Sequence, residues 1–263
     1  MKVYAVRTIL AAAVAAIAGS TANAAVLYDN MTSAEAGVTG ATLSSTSSTP
    51  NTFMGDVFGL VSGATDITGF DIFPVNATTK NYNALKITIY VWGTVNTGTV
   101  SATTPAFSNL LGQYTLTSTG TFTAGFYYAF EGATIGTDPG VTLATPLAIP
   151  SNIIGITLSY QGSTNGGVTY ATANNLTSLI SYGVAPDVGT NPFLDVASAG
   201  TGGYYRNAGS PSETNGNFTS AYRAFAGTNE NLGIRIYGDA VPGPSAAGLL
   251  AIGGLVASRR RRA

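Results

Sequence analysis

The chain contains no cysteine and no histidine. The first absence excludes disulfides, cysteine nucleophiles and thiolate-ligated metals, although an oxidising compartment would permit disulfides. The second excludes histidine metal sites and every catalytic triad built on imidazole. Charge is also scarce, at 9% of 263 residues, and there is a single tryptophan, Trp92. Any catalysis here would have to rest on carboxylates, tyrosine, lysine or serine. What the chain has in abundance is glycine, 33 residues, with many threonines, serines and asparagines among scattered aromatics. That composition favours strands joined by turns over helices.

The two ends differ from the middle. Residues 1–24 carry Lys2 and Arg7, then an apolar stretch from Ile9 to Ala18, then Ala22-Asn23-Ala24. A positive start, an apolar run and an A-x-A site are the parts of a secretory signal, which signal peptidase would remove to leave Ala25 as the first residue. The competing reading is a structural N-terminal helix. At the other end, Val241-Pro242-Gly243-Pro244-Ser245 precedes an apolar run from Ala246 to Ala257. Ser258 and Arg259, Arg260, Arg261 and Arg262 follow. As a helix the apolar run spans roughly 18 Å, against about 30 Å of bilayer hydrocarbon. It is short for a permanent transmembrane helix but able to hold a chain transiently in a thinned bilayer. The arginines resist translocation and act as a stop-transfer block. Pro242 and Pro244 hold the preceding strip extended. A buried C-terminal core helix is the alternative, and four terminal arginines argue against it.

These three parts, in this order, resemble the PEP-CTERM sorting domain that bacterial exosortases recognise. The likeness covers residues 241–263, about a tenth of the chain. Val241, Pro242, Pro244 and Ser245 fit the family's Val-Pro-Glu-Pro pattern, and Gly243 stands where the glutamate is expected. The resemblance implies an exosortase-like processing enzyme as partner, variant in its specificity if Gly243 matters to it. It also implies a protein of the cell surface or extracellular matrix of an exopolysaccharide-producing, Gram-negative-type bacterium, and it implies no catalytic activity. Val26-Leu27-Tyr28-Asp29-Asn30 and Asn231 to Gly238 are likewise similar to surface proteins bearing this tail, in which neighbouring first and last strands would close a sandwich.

Between the ends lies one expected domain, 25–240. It keeps five basic residues, Lys80, Lys86, Arg206, Arg223 and Arg235, and all twelve acids, a formal charge of −7. A sparsely basic, acidic domain is a poor partner for nucleic acid, and its acidity is otherwise what keeps an exported domain soluble. Leu85, Ile87, Ile89 and Val91 alternate with Lys86, Thr88, Tyr90 and Trp92, the pattern of a strand with one core face. Ile154 to Tyr160 alternates the same way, and Leu232 to Tyr237 places Leu232, Ile234 and Ile236 inward. Weaker strands are expected at 26–28, 56–61, 67–73, 113–117, 126–130 and 167–171. Residues 174–180 read as a short helical turn or a loop, and 39–52 as a Ser/Thr-rich loop. No fixed-period repeat is present. The expected fold is all-β: a single antiparallel β-sandwich of jelly-roll type.

Four constellations bear on function. Tyr90 and Trp92 share the polar face of the best strand and could stack on sugar rings; otherwise that face packs under a loop or against a second sheet. Tyr204-Tyr205-Arg206 and Tyr222-Arg223 join cations to aromatics and could grip an acidic extracellular polysaccharide; otherwise the arginines pair internally and pin the 200–225 segment. Glu35, Glu131, Glu213 and Glu230 are the glutamates a glycoside hydrolase would draw on, though none sits in a motif. Asp66, Asp71, Asp138 and Asp187 could hold a structural calcium ion, though no D-x-D-x-D loop exists and turn capping serves as well. No other cofactor is implied. The reading favoured is a non-catalytic surface or matrix protein, with a carbohydrate-binding module and a carboxylate-dependent glycoside hydrolase as alternatives.

Overall fold

The computed structural model describes residues 25–35, 42–45, 53–96, 103–130, 141–172, 176–182, 185–192, 205–206, 216–219 and 230–240. Residues 1–24 and 241–263, the two segments expected to direct export and sorting, lie outside these, as do Glu131, Asp138, Glu213, Tyr222 and Arg223. In chain order the elements begin with β1 (Ala25–Asp29), helix α1 (Thr32–Glu35), β2 (Thr42–Ser45), β3 (Met54–Gly59), β4 (Ala64–Ile72) and β5 (Pro74–Asn76). The long strands β6 (Tyr82–Val95) and β7 (Phe107–Phe122) follow, then β8 (Phe126–Tyr127), β9 (Val141–Ala148) and β10 (Ile153–Ser163). The chain closes with β11 (Ala171–Thr172), β12 (Leu176–Tyr182), β13 (Tyr205–Arg206), β14 (Glu230–Leu232) and β15 (Ile234–Ala240). The fold is all-β, with every strand pair antiparallel and a sandwich-like arrangement.

The described strands form three sheets. One runs β1-β15-β4-β9. A second runs β13-β3-β10-β6-β7, with β11 beside β10. A third runs β14-β12-β5-β8, with β2 beside β12. The first two enclose the main core. Leu85, Ile87, Ile89 and Val91 of β6 and Ile154, Ile156, Leu158 and Tyr160 of β10 meet Leu27, Ile67, Phe70, Ile72, Ile234 and Ile236 from the opposite sheet. The period-2 alternation of β6 and β10 therefore does what it predicts: it turns one row of aliphatic side chains from each strand to the same side.

Four expectations are corrected. Residues 176–182 form a strand, not a helical turn or loop. Leu176, Leu179 and Ile180 recur at helical spacing, yet every side chain from Leu176 to Ser181 is buried. A strand covered on both faces shows no alternation and can imitate a helix. The Ser/Thr-rich segment 39–52 contains β2, which pairs with β12 from Leu179↔Ser45 to Tyr182↔Thr42. The expected strand at 167–171 shrinks to Ala171–Thr172, because Gly166 and Gly167 take φ of 72° and 87° and make a turn there. The expected strand at 232–237 is split at Gly233, so that Leu232 belongs to the third sheet and Ile234 to the first. Asn30 stitches this split. Its side-chain amide donates to the carbonyl of Leu232 at 2.8 Å, and its side-chain oxygen accepts from the N–H of Ile234 at 3.0 Å.

First and last strands are neighbours. β1 pairs β15 with Ala25 opposite Gly238. The start and the end of the folded unit therefore leave it side by side.

Candidate functional site

The strand with the clearest alternation is covered on both faces where it carries Tyr90 and Trp92. Opposite the aliphatic row of β6, Tyr90 and Trp92 lie beneath a second cluster formed by Phe53, Val57, Ala106, Phe107, Tyr205 and Phe218. Trp92 is 4% exposed, Tyr90 9% and Tyr205 1%. Rings contact one another in sequence: Phe53 on Tyr90 at 5.7 Å, Tyr90 on Trp92 at 6.3 Å, Trp92 on Phe107 at 6.4 Å and Phe107 on Tyr205 at 4.9 Å. The indole N–H donates to Oγ1 of Thr157 at 3.0 Å, and the Tyr205 hydroxyl donates to the carbonyl of Asn96 at 3.2 Å. Burial holds the Tyr90 hydroxyl above the usual phenol range.

Of the two readings of the β6 aromatics it is the packed one that holds, and Tyr205 is buried in the same layer. The aromatic rows of β6, β7 and β13 bury one another, because apolar rings on a sheet face gain more from mutual burial than from water. β13 places Arg206 opposite Met54 by backbone pairing; its side chain, like Tyr222 and Arg223, lies outside the described residues.

The side chains that would pin the 200–225 segment lie outside the described residues; an ion-pair network is described at Arg235. Its guanidinium lies 3.3 Å from Asp29 and 3.6 Å from Asp71, and its plane covers the Phe73 ring at 5.4 Å. Asp71 also accepts from the Tyr237 hydroxyl at 2.5 Å. Asp29 additionally accepts from the backbone N–H of Met31 and Thr32, at 2.7 and 3.1 Å, where α1 begins. The network therefore ties β1, β4 and β15 at the end of the sheet away from Ala25 and Ala240. It uses Asp71, one of the four candidate calcium ligands. Asp187 is occupied as an acceptor for Ser33, and Asp66 is half-buried on β4. Among the described residues no three acidic side chains converge as a metal ligand set. The side chains of Glu35 and Glu230 lie outside the description along with Glu131 and Glu213, so no carboxylate pair can be placed across a cleft.

A buried acid that the sequence did not single out is Asp56, on β3. Its carboxylate accepts from the N–H of Val57 at 2.7 Å and of Leu232 at 3.0 Å. Burial pushes its pKa well above the usual carboxylate range, and these two N–H bonds oppose the shift without cancelling it. Met54 and Phe58 share its side of β3 and lie in the main core, so Asp56 interrupts an otherwise apolar row.

A groove opens between β7 and β9, the strands at matching edges of the two large sheets. It measures about 600 Å³ and is lined by Gln113, Tyr114 and Thr115 on one wall and by Leu143 to Leu147 on the other. Tyr114 reaches inward to Phe70, with ring centroids 6.2 Å apart. Among the described residues no charged side chain lines the groove.

No protein-family model matches the chain, and neither a curated protein nor a solved structure does. Among the described residues no helix is long and apolar enough to cross a membrane.

Proposed function

We propose that this chain is an exported, non-catalytic component of the cell surface or extracellular matrix, released by signal peptidase at Ala24–Ala25 and sorted through Val241 to Ala263 by an exosortase-like enzyme. The observation that carries the reading is the tripartite tail: a Val-Pro-x-Pro-Ser strip, a twelve-residue apolar run and four arginines. The apolar run is long enough to pause in a bilayer and the arginines stop it there. The strip is left extended where a membrane-embedded enzyme can reach it.

The pairing of Ala25 with Gly238 supports the same reading. A domain whose two ends leave together can be tethered at one point and project away from the membrane. The carbohydrate-binding alternative drew on Tyr90 and Trp92, and with both rings covered it would need another surface. The hydrolase alternative rests on glutamates whose side chains lie outside the described residues.

Intact mass of the protein extracted from its native surface tests the proposal at both ends. The expected species begins at Ala25 and lacks Arg259 to Arg262. A chain that starts at Met1 or still ends at Ala263 would overturn it.

A further inference from the structure

The feature that this reading leaves unused is the bare edge of β7. Its ladder with β6 runs without a register break from Gly112, opposite Val91, to Thr119, opposite Ala84. Beyond each end the register shifts. On the side away from β6, the backbone bonds among the described residues lie at the start, where the N–H groups of Ala106 and Phe107 donate to Phe218 and Asn217. Among the described residues nothing pairs with Gly112 to Thr119 on that side, and Gln113, Thr115, Thr117 and Thr119 are exposed.

A row of unpaired N–H and C=O groups is a template for another strand, and proteins usually blunt it with charge, proline or bulges. The facing edge, β9, is blunted in this way. It carries Pro146, and its ladder jumps from Leu147 opposite Ile67 to Thr142 opposite Gly69, so that residues 143–146 leave the register. β7 has no proline and no charged residue from Phe107 to Phe122. In a domain of formal charge −7, this strip is where two copies can meet without like-charge repulsion. A charged partner would find nothing on it to pair with.

We propose that Gly112 to Thr119 is a homotypic docking edge, at which β7 of a second copy adds antiparallel about a twofold axis. For the sheet to continue, inward residues must oppose inward residues, so a perpendicular axis must pair one residue with its own copy. An axis at Thr115 pairs Tyr114 with Leu116 of the second copy on the inner face, both half-buried in the monomer. It pairs Gln113 with Thr117 on the outer face. The aromatic–aliphatic pair and the polar pair are both favourable across a ladder. The added strand would also cover the uncharged groove beside Tyr114. This inference does not depend on how the chain is sorted.

Sedimentation equilibrium of the exported protein over a range of concentrations is the test, with Thr115→Lys and Thr115→Glu made separately. Directly opposed residues have Cβ atoms about 5 Å apart, so either variant sets like charges against each other on the axis. Wild type is expected at twice the chain mass, each variant at the chain mass, and an equimolar mixture of the two variants back at twice. A monomeric wild type overturns the proposal. So does a Thr115→Lys protein that keeps the wild-type mass, or a mixture that stays monomeric. Near-UV circular dichroism checks the fold. If the Thr115 variants lose it, the double change Gln113→Lys with Thr117→Lys opposes like charges at two exposed positions, and retention of the wild-type mass there overturns the proposal equally. Failure here would leave the sorting reading untouched, since that is decided by the mass of each chain and not by its assembly.

Discussion

The ring of Phe107 rests against the backbone of Gly155, occupying the place where a Cβ at that position would stand. Phe107 begins β7, Gly155 lies on β10, and the contact seats the whole aromatic layer on the central sheet. Gly155→Ala should therefore displace Phe107 and cost about 1–3 kcal/mol, the usual penalty of overpacking. Gly120→Ala, whose added Cβ meets nothing closer than 4.0 Å, should change stability little. Urea melts of both, read by the fluorescence of Trp92, compare them directly. Equal effects would mean that Phe107 is not held where it is described.

On β6, Ile89 is wholly buried in the main core, whereas Thr88, its neighbour on the other face, is half-buried. Ile89→Ala should cost about 2–5 kcal/mol through lost burial and a residual cavity. Thr88→Ala should cost far less. Matching small losses in chemical denaturation would remove this strand from the core.

Arg235 is the shared partner of Asp29 and Asp71, and the Asp71 side chain has no exposure. Removing the cation leaves buried negative charge without its counter-ion, which typically costs about 3–5 kcal/mol. Arg235→Ala is expected to lower the urea midpoint accordingly. Because the pair is shielded from solvent, the wild-type stability it provides should respond weakly to added salt. A loss below about 1 kcal/mol would make it no better than a surface ion pair.

Asp56 gives the protein a pH dependence of definite sign. Its folded-state pKa is raised by burial above the unfolded value of about 3.9. A raised acid pKa means that the folded state binds the proton more tightly. The stabilisation is therefore complete below about pH 3.9 and is lost as pH rises through the folded value. Asp56→Asn abolishes the titration. The stability of wild type relative to Asp56→Asn should fall as pH increases from about 4, measured as denaturation midpoints at a series of pH values. A difference that stays flat or rises would show that the carboxylate is comfortable ionised.

Alternation along β6 and β10 was enough to assign the aliphatic rows from Leu85 to Val91 and from Ile154 to Tyr160 to a core, because side chains on a strand must alternate whatever the partner strand is. The missing cysteine and histidine excluded whole chemistries with no structure at all. The proposed address, too, is written in contiguous residues at the two ends. What covers the second face of a strand is not local information. The rings of Tyr90 and Trp92 are hidden by Phe107, Tyr205 and Phe218, which the chain brings from elsewhere in its length, and no period in β6 foretells them. The same holds for Leu176 to Ser181, whose burial on both faces erases the alternation that would mark a strand. Arg235 could be recognised as scarce charge, but only the pairing of β1, β15 and β4 sets it between Asp29 and Asp71. Nor could the sequence tell that Gly112 to Thr119 stands at a sheet edge, since an edge is defined by the strand that is not beside it.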